Sequence, residues 1–212
     1  MNAIVGFSGF LNEPGLASSK RKQYTDIIVQ SSNQLLSIIT DIIDIATIES
    51  GQEQVYETEI RLNAALKILH EQFLIKAEKQ NVKLNLKLSL HDDQDTIVSD
   101  EIKLAQILTN LIGNALKFTK KGRVNIGYRV KGHELEFSVE DTGIGIPSEM
   151  HEEIFNRFSQ VESTVARQFG GSGLGLSISK AYVGLLGGNM WLESEPNKGS
   201  IFFFTIPYKK SN

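Results

Sequence analysis

Apolar side chains recur between residues 19 and 49 at alternating steps of four and three residues, the spacing of a helix that packs along one seam. The seam positions are Tyr24, Ile28, Ser31, Leu35, Ile38, Ile42 and Ile45. A second row, formed by Ile27, Leu36, Ile39, Ile43 and Ile48, widens the apolar face. A shorter helical pattern at 1–11 precedes this helix and ends at the breaker sequence 12–15. The pattern therefore predicts two consecutive helices.

This apolar face is wider than one short helix can cover. It predicts a helical hairpin that pairs with a second copy of itself in a four-helix bundle. The alternative is a helix that packs on a globular domain of its own chain. Gly51 stands where a helix-terminating glycine is expected, and residues 52–59 are polar enough to form a linker. We therefore expect a helical hairpin over 1–51, a linker over 52–59 and a second domain over 60–212.

The second domain mixes helical and strand patterns. Helical periodicity covers 61–79, and Asp100 is the predicted N-cap of another helix. The predicted strands are 82–90, 96–99, a hairpin of 123–130 and 134–140, and a final pair at 190–194 and 200–206, with a helix over 177–186 before that pair. Because helices and strands do not alternate strictly, the predicted fold class is α+β, a two-layer sandwich with helices on one face of a mixed β-sheet.

The candidate chemistry begins where a predicted strand ends, at Asp141. Gly143 and Gly145 follow, and Pro147 closes the turn. Glycines let the backbone turn sharply and come close to a flat ligand, while Ile146 adds apolar surface. A tight turn without any ligand is the alternative explanation of this stretch.

Two further stretches favour a ligand. Asn110 and Asn114 are four residues apart and so share one face of a predicted helix. A glycine-rich run at 170–175 opens onto the next helix, where the amides of Gly173 and Gly175 can hold phosphate oxygens with the help of the helix dipole. Its spacing matches neither a P-loop nor a dinucleotide-binding turn.

At these stretches the chain resembles the sensor histidine kinases, and more broadly the ATP-binding superfamily that they share with gyrase, MutL and heat-shock-90-type chaperones. Residues 110–118 resemble the family's N box, 141–146 its first glycine box, 154–158 its F box and 171–176 its second glycine box. The four boxes stand in the family's order, and the resemblance covers nearly all of the chain. It implies a Bergerat-type fold that binds ATP and Mg²⁺.

Asp141 is the residue that we expect to recognise adenine, because its carboxylate can accept a hydrogen bond from the exocyclic amino group. The resemblance implies that Asn114 coordinates Mg²⁺ through its amide oxygen, with Asn110 beside it, and that Phe118 packs near the nucleoside. Lys117 is expected to neutralise phosphate charge. The other predicted nucleotide-binding residues are Gly143, Gly145, Ile146, Gly171, Gly173, Leu174 and Gly175. The alternatives are a loop cap for Asp141 and a solvated surface lysine for Lys117.

Residues 158–169 are rich in polar side chains and are predicted to form a mobile lid between the F box and the second glycine box. Arg157 directly precedes this segment, and Arg167 lies near its end. We expect Arg167, and with it Arg157, to reach the terminal phosphate, and these two arginines and Lys117 are the predicted catalytic side chains. A pair of surface arginines is the alternative.

The residue type one helical turn before Asn110 distinguishes two activities within the superfamily, and in this chain the residue is Gln106. Superfamily members that hydrolyse ATP carry a glutamate there to activate water, and a neutral amide is a poor general base. The resemblance therefore favours transfer of the γ-phosphate to a protein histidine, for relay to the receiver domain of a response regulator. Two alternatives stay open: a non-catalytic dimerising module that ATP rearranges, and an ATP-hydrolysing clamp.

Composition and charge narrow the partners and the cellular location that we expect. The chain has 212 residues, 41% of them hydrophobic, which is enough for a sizeable core. A formal net charge of -3 gives no electrostatic reason to expect nucleic acid or an anionic membrane as partner. The chain has no cysteine, which fits a cytoplasmic protein. No apolar run approaches the roughly 20 residues of a membrane span, so we expect no membrane contact by this portion. The expected location is the cytoplasm, either for the protein as a whole or for the cytoplasmic part of a larger membrane-bound sensor.

The family's phosphoacceptor histidine is expected to precede Met1. Residues 1–8 match the tail of the family motif H-E-x-R-T-P-[LM]-N-A-I, whose histidine stands before that tail. His70 is followed by Glu71 but lacks the rest of the motif. The remaining histidines, His91, His133 and His151, fall in a predicted loop, a hairpin turn and a surface helix.

We expect this chain to stay unlabelled when it is incubated with radiolabelled Mg-ATP, because none of its 4 histidines lies in the phosphoacceptor motif. Gel autoradiography before and after acid treatment measures this. A stable, acid-labile label on the chain would contradict the prediction and would direct attention to His70.

Overall fold

The first unit of the chain, Met1–Gln52, is a pair of helices. The structure is a computed structural model, and it describes residues 2–159 and 173–210. Helix α1 is Asn2–Phe10 and helix α2 is Ser18–Glu49. The rings of Phe7 and Phe10 pack on Tyr24, with centroid distances of 5.2 and 5.8 Å. Gly51 has a φ of +65°, which suits the glycine that follows a helix end. The two predicted helices are confirmed.

Many apolar side chains of this unit lie on the surface of the single chain. Exposed members on α2 are Val29, Leu36, Ile39, Ile42 and Ile43. In the part of the chain that the structure describes, none of the helices combines the length and apolar content that crossing a bilayer requires.

The second unit, Glu53–Asn212, is built on a five-stranded sheet. In chain order its strands are β2 (Val82–Lys87), β4 (Gly122–Lys131), β5 (Glu134–Asp141), β6 (Met190–Glu195) and β7 (Gly199–Pro207), and their spatial order is β2-β4-β5-β7-β6. Strands β2 and β4 are parallel and all other neighbours are antiparallel, so the sheet is mixed. Two short strands, β1 (Thr58–Arg61) and β3 (Thr96–Ser99), form a separate antiparallel pair.

Within residues 53–159 and 173–210, three helices accompany this sheet: α3 (Leu62–Lys79), α4 (Glu101–Phe118) and α5 (Gly175–Leu185). Short 3₁₀ turns lie at Ser148–Met150 and Glu153–Phe155. The core side of the sheet is apolar, and the rings of Phe137 and Phe204 stack there with centroids 4.6 Å apart. Alternate positions on the other side are largely polar, among them Asn125 and Glu140, which are hydrogen-bonded to each other. The predicted α+β sandwich with helices on one face of a mixed sheet is confirmed.

Two elements differ from the pattern-based expectation. Strand β2 ends at Lys87 rather than at residue 90, because the amide of Leu90 donates to the hydroxyl of Tyr128 instead of to a neighbouring strand. Strand β1 lies where a polar linker was expected to end and a helix to begin. Strand β1 pairs with β3, with Thr58 opposite Ser99. This contact is long-range, so the pattern of neighbouring residues does not predict it.

The segment that opens the second unit is held to helix α4 by Lys103. Its ammonium lies 2.7 Å from a carboxylate oxygen of Glu53, 3.1 Å from Asp100 and 2.7 Å from the carbonyl oxygen of Gln54. Asp100, the predicted N-cap of α4, accepts from the amides of Lys103 and Tyr56. Burial would raise the pKa of Asp100, but these amides and the ammonium hold it below its ordinary value.

We expect Lys103→Met to lower the free energy of unfolding by roughly 3 kcal/mol, because it removes one partner of a buried ion pair and leaves the carboxylates behind. Urea denaturation measures this. Lys67→Met is the matched control, since the Lys67–Asp92 pair is exposed and its removal should leave the unfolding midpoint unchanged. Equal effects of the two substitutions would contradict the prediction.

Candidate nucleotide-binding site

Helix α4 carries four of the predicted site residues. Its apolar positions, including Leu104, Ile107, Leu108, Leu111, Ile112, Ala115 and Leu116, are buried and fix the helix against the rest of the unit. Asn110 and Asn114 lie on a different side of the helix and are partly buried. The amide nitrogen of Asn114 is 3.4 Å from the amide oxygen of Asn110, so the structure brings the two predicted asparagines into contact.

Lys117 and Phe118 occupy the last turn of α4. The ammonium of Lys117 lies 4.9 Å from the centroid of the Phe118 ring. Burial lowers the pKa of Lys117, and the nearby charge of Lys76 lowers it further. Two lysines thus hold positive charge at this end of α4, as a site for phosphate oxygens requires.

Asp141 is the last residue of β5 and is buried, with 6% of its surface exposed. Its carboxylate accepts a hydrogen bond of 2.7 Å from the amide of Gly143. Burial raises the pKa of Asp141 to about 6, while the amides of Gly143 and Ser200 act in the opposite direction. A carboxylate kept out of water in this way gains from an additional hydrogen-bond donor.

The glycines that follow Asp141 are needed for contacts with the protein itself. A Cβ on Gly143 would lie 2.5 Å from the carbonyl oxygen of Phe118, and one on Gly145 would lie 2.0 Å from that of Glu195. The sequence led us to expect close approach to a ligand as the reason for these glycines. The structure shows that the backbone of this loop packs directly on the end of α4 and on the end of β6.

The end of β6 and the turn that follows it close the same loop from the other side. The amide of Ile146 donates to the hydroxyl of Ser194 at 2.8 Å, and the amide of Asn197 donates to the carbonyl of Ile144 at 2.7 Å. His151 also contacts the carbonyl of Ile146 at 3.1 Å. These bonds fix the predicted residues Gly143, Gly145 and Ile146 beside Asp141.

The second glycine-rich stretch is described only in part. Gly171 and Arg167 were predicted site residues, and they lie outside the described residues, as do positions 160–169 of the lid that was predicted over 158–169. Leu174 is buried immediately before α5, and the amide of Phe158 donates to the carbonyl of Gly173 at 3.1 Å. Gly175 is the first residue of α5, and it packs against the amide of Asn110.

Arg157 lies next to α5. It contributes to a cavity of about 490 Å³ that is also lined by Phe155, Asn156, Ser177, Lys180 and Ala181. The ammonium of Lys180 is 4.8 Å from the centroid of the Phe155 ring. Arg157 and Lys180 give this cavity positive charge near the start of α5.

Three serines in the site were not predicted from the sequence. Ser179 accepts a hydrogen bond of 2.8 Å from the amide nitrogen of Asn110. Ser194 supports the first glycine loop, and the backbone of Ser200 pairs with Asp141 in the sheet. The position of Ser179 had a usable signal, because it lies one helical turn after Gly175, on the face that packs on α4.

Comparison with known proteins identifies the architecture. Residues 99–210 match the family described as histidine kinase-, DNA gyrase B- and HSP90-like ATPase, and residues 1–51 match the His Kinase A (phospho-acceptor) domain. The first match covers more than half of the chain, so the chain belongs to the histidine kinase-, DNA gyrase B- and HSP90-like ATPase family. Together the two regions form the catalytic ATPase domain and the phosphoacceptor region of a histidine kinase.

Full-length relatives are much longer. The chain is 32% identical over 97% of its length to the signal transduction histidine-protein kinase BarA of Escherichia coli, and it spans 23% of that protein. Full-length ShkA in complex with AMPPNP has a TM-score of 0.80 at 27% identity, over 99% of this chain and 43% of ShkA. Histidine kinase ThkA in complex with the response regulator TrrA has a TM-score of 0.72 at 26% identity, over 98% of this chain and 57% of ThkA.

If the ionised carboxylate of Asp141 accepts a hydrogen bond from adenine, protonation of Asp141 must weaken binding. With a pKa of about 6 in the free protein, the affinity for Mg-ATP should rise about tenfold between pH 5 and pH 7. Isothermal titration calorimetry across this range measures the effect.

Adenosine is the control ligand for this titration, because it has no phosphate group to titrate and should show the same trend. Asp141→Asn should weaken binding of either ligand and remove the pH dependence of adenosine binding, because the neutral amide oxygen is a weaker acceptor than a carboxylate and does not titrate. A flat pH profile for adenosine binding would contradict the role of Asp141.

Proposed function

We propose that this chain is the ATP-binding catalytic part of a sensor histidine kinase. It would transfer the γ-phosphate of Mg-ATP to a histidine that precedes Met1 in the helical hairpin, for relay to a response regulator. The observation that carries the proposal is the junction at Gly143, where the loop after Asp141 packs on the carbonyl of Phe118. It joins a buried acceptor suited to adenine to the helix that carries Lys117 and the asparagines.

The donor set of the asparagine pair suits Mg²⁺. The amide nitrogen of Asn114 is directed at Asn110, which leaves its amide oxygen available, and hard cations prefer such oxygens. We propose that Asn114 holds Mg²⁺ and that Asn110 orients it. Bound Mg²⁺ would offset the negative charge of the nucleotide phosphates.

The phosphate end of the nucleotide would lie between α4 and the start of α5. Lys117 supplies positive charge from the last turn of α4, and the amides of Gly173 and Gly175 stand near the N-terminus of α5, where the helix dipole favours anions. Arg157 lies beside α5 and is proposed to reach the terminal phosphate. We propose the same role for Arg167 on the strength of the family resemblance alone.

Transfer is favoured over hydrolysis by Gln106. It lies one turn before Asn110 on α4, and its neutral amide cannot act as a strong general base toward water. Phosphoryl transfer depends mostly on positioning and on neutralising charge, and the site residues supply both.

We propose two protein partners. A response regulator is supported by ThkA, a histidine kinase with the same fold as this chain, whose structure is a complex with the response regulator TrrA. A second copy of the chain is supported by the exposed apolar side chains of α2, such as Leu36 and Ile43, and by the phosphoacceptor-domain match over residues 1–51. The proposed domain limits are 1–51, 52–59 and 60–212, and the proposed location is cytoplasmic, where ATP is available.

The decisive experiment supplies the phosphoacceptor histidine. The chain is extended before Met1 by the motif H-E-x-R-T-P, so that Met1 takes the [LM] position of the family motif, and it is incubated with γ-labelled Mg-ATP. We expect an acid-labile, base-stable label on the extended chain. The same extension with glutamine in place of histidine should stay unlabelled, and so should the extended Asn114→Leu variant, which removes the proposed Mg²⁺ ligand.

Release of inorganic phosphate without labelling would contradict the kinase proposal and support an ATP-hydrolysing clamp. Binding of ATP with neither labelling nor phosphate release would support the non-catalytic module that ATP rearranges. Phosphate release and filter-bound label are therefore measured in the same samples.

A further inference from the structure

The hydroxyl of Thr119 is an exception among the buried polar groups of the chain. Thr119 directly follows helix α4 and is buried, with 2% of its surface exposed. Its backbone amide donates to the carbonyl of Ala115. Within residues 2–159 and 173–210, however, none of the contacts of its hydroxyl has the geometry of a hydrogen bond. A buried hydroxyl without a partner costs free energy, so its presence here needs a physical reason.

The acceptor beside this hydroxyl is the carboxylate of Asp141. A Cβ on Gly143 would lie 2.5 Å from the carbonyl oxygen of Phe118 and 2.7 Å from a carboxylate oxygen of Asp141, so the end of α4 and this carboxylate are close neighbours. Thr119 follows Phe118, and its hydroxyl is near enough to favour the ionised form of Asp141, which lowers the pKa of that carboxyl. The hydroxyl therefore lies beside the carboxylate without being well aligned with it.

The carboxylate decides the direction of this interaction. A hydroxyl can donate or accept, but an ionised carboxylate can only accept, so Thr119 must be the donor. A hydrogen bond to an ionised group is also stronger than one to a neutral group. Donation by Thr119 thus favours the ionised form of Asp141, which is the form that can accept a hydrogen bond from the amino group of adenine.

The donors around Asp141 leave room for one more. A carboxylate offers about four acceptor positions on its two oxygens. The amide of Gly143 takes one at 2.7 Å, and the amide of Ser200 takes another. With the hydroxyl of Thr119 as the third protein donor, one position is left for the amino group of a base.

We propose that Thr119 is a positioning residue for adenine recognition, donating its hydroxyl hydrogen to the carboxylate of Asp141 and so holding that carboxylate in place for the base. This inference rests on the proposed recognition of adenine by Asp141. Loss of the hydroxyl would leave the carboxylate with two protein donors, raise the pKa of Asp141 and loosen its orientation.

Other charged groups also act near this carboxyl. Charged side chains on the elements that meet at Asp141 are Glu140 on β5, Arg123 on β4, Lys117 on α4 and Glu195 on β6. Of these, the negative charge of Glu140 raises the pKa of Asp141. All four residues are unchanged in the Thr119 variants below, so a difference between those variants reports the hydroxyl.

The first measurement needs no ligand. Carbon-13 NMR of the side-chain carboxyl groups follows the titration of Asp141, and its resonance is assigned by its absence from Asp141→Asn. The parent should show a pKa of about 6. Thr119→Val keeps the shape of the side chain without the hydroxyl, and it should raise this pKa by about half to one unit. Thr119→Ser keeps the hydroxyl and should retain the parent value.

The second measurement is the affinity for adenosine, determined by calorimetry at pH 8, where Asp141 is ionised in each variant. Thr119→Val should bind at least about threefold more weakly than the parent, and Thr119→Ser should bind within about twofold of it. Because ionisation is complete at this pH, the loss reports the orientation of the carboxylate.

Thr205→Val is the matched control. Thr205 is also buried, and its hydroxyl accepts a hydrogen bond of 3.2 Å from the amide of Asn189. On β7 it stands opposite Glu136 rather than Asp141. This variant should keep the parent pKa of Asp141 and the parent affinity for adenosine.

Three results would overturn the inference about Thr119. They are a parent pKa of Asp141 in Thr119→Val, equal effects of Thr119→Val and Thr119→Ser, which would point to packing, and a raised pKa with unchanged affinity for adenosine. If the parent binds no adenosine while Thr119→Val still raises the pKa, the proposed adenine site fails, and the inference fails with it although the contact between Thr119 and Asp141 stands.

Discussion

The contact between Gly143 and the end of α4 is the constraint on which the site depends. No side chain fits at residue 143, because its Cβ would lie 2.5 Å from the carbonyl oxygen of Phe118 and 2.7 Å from the carboxylate of Asp141. The carboxylate therefore folds back onto the amide of Gly143, and the end of strand β5 meets the end of helix α4. This junction brings together the residues proposed to recognise adenine and those proposed to bind phosphate.

Local signals were sufficient for most of the fold. Strand β3 and the cap of α4 were predicted at the observed residues, because a short β-branched run and an aspartate before a helix act within a few residues. Strand β1 was missed, since the partner of Thr58, Ser99, is about forty positions away and Ile60 is the single apolar residue among the four of this strand. The end of β2 depends on the hydroxyl of Tyr128, which is also a long-range contact.

The candidate site also contains some residues that the sequence could predict and others that it could not. Motif residues such as Asp141 and Asn114 could be found because their spacing and order are specific, whereas the partners that hold them could not. Ser179 is an ordinary helical serine in the sequence, and only the packing of α5 on α4 brings its hydroxyl to the amide of Asn110. The cluster around Lys103 was missed for the same reason, since Glu53 belongs to a stretch that looks like a solvated linker.

Selection of the base tests the central claim most directly, because the claim places adenine against the carboxylate of Asp141. Guanine carries a carbonyl oxygen where adenine carries its amino group, so it would set an acceptor against an acceptor. Calorimetric titration of the chain with Mg-ATP and then with Mg-GTP measures the difference. The account predicts a dissociation constant at least about 100-fold lower for ATP. Equal affinity for both nucleotides, or no binding of ATP, would contradict it.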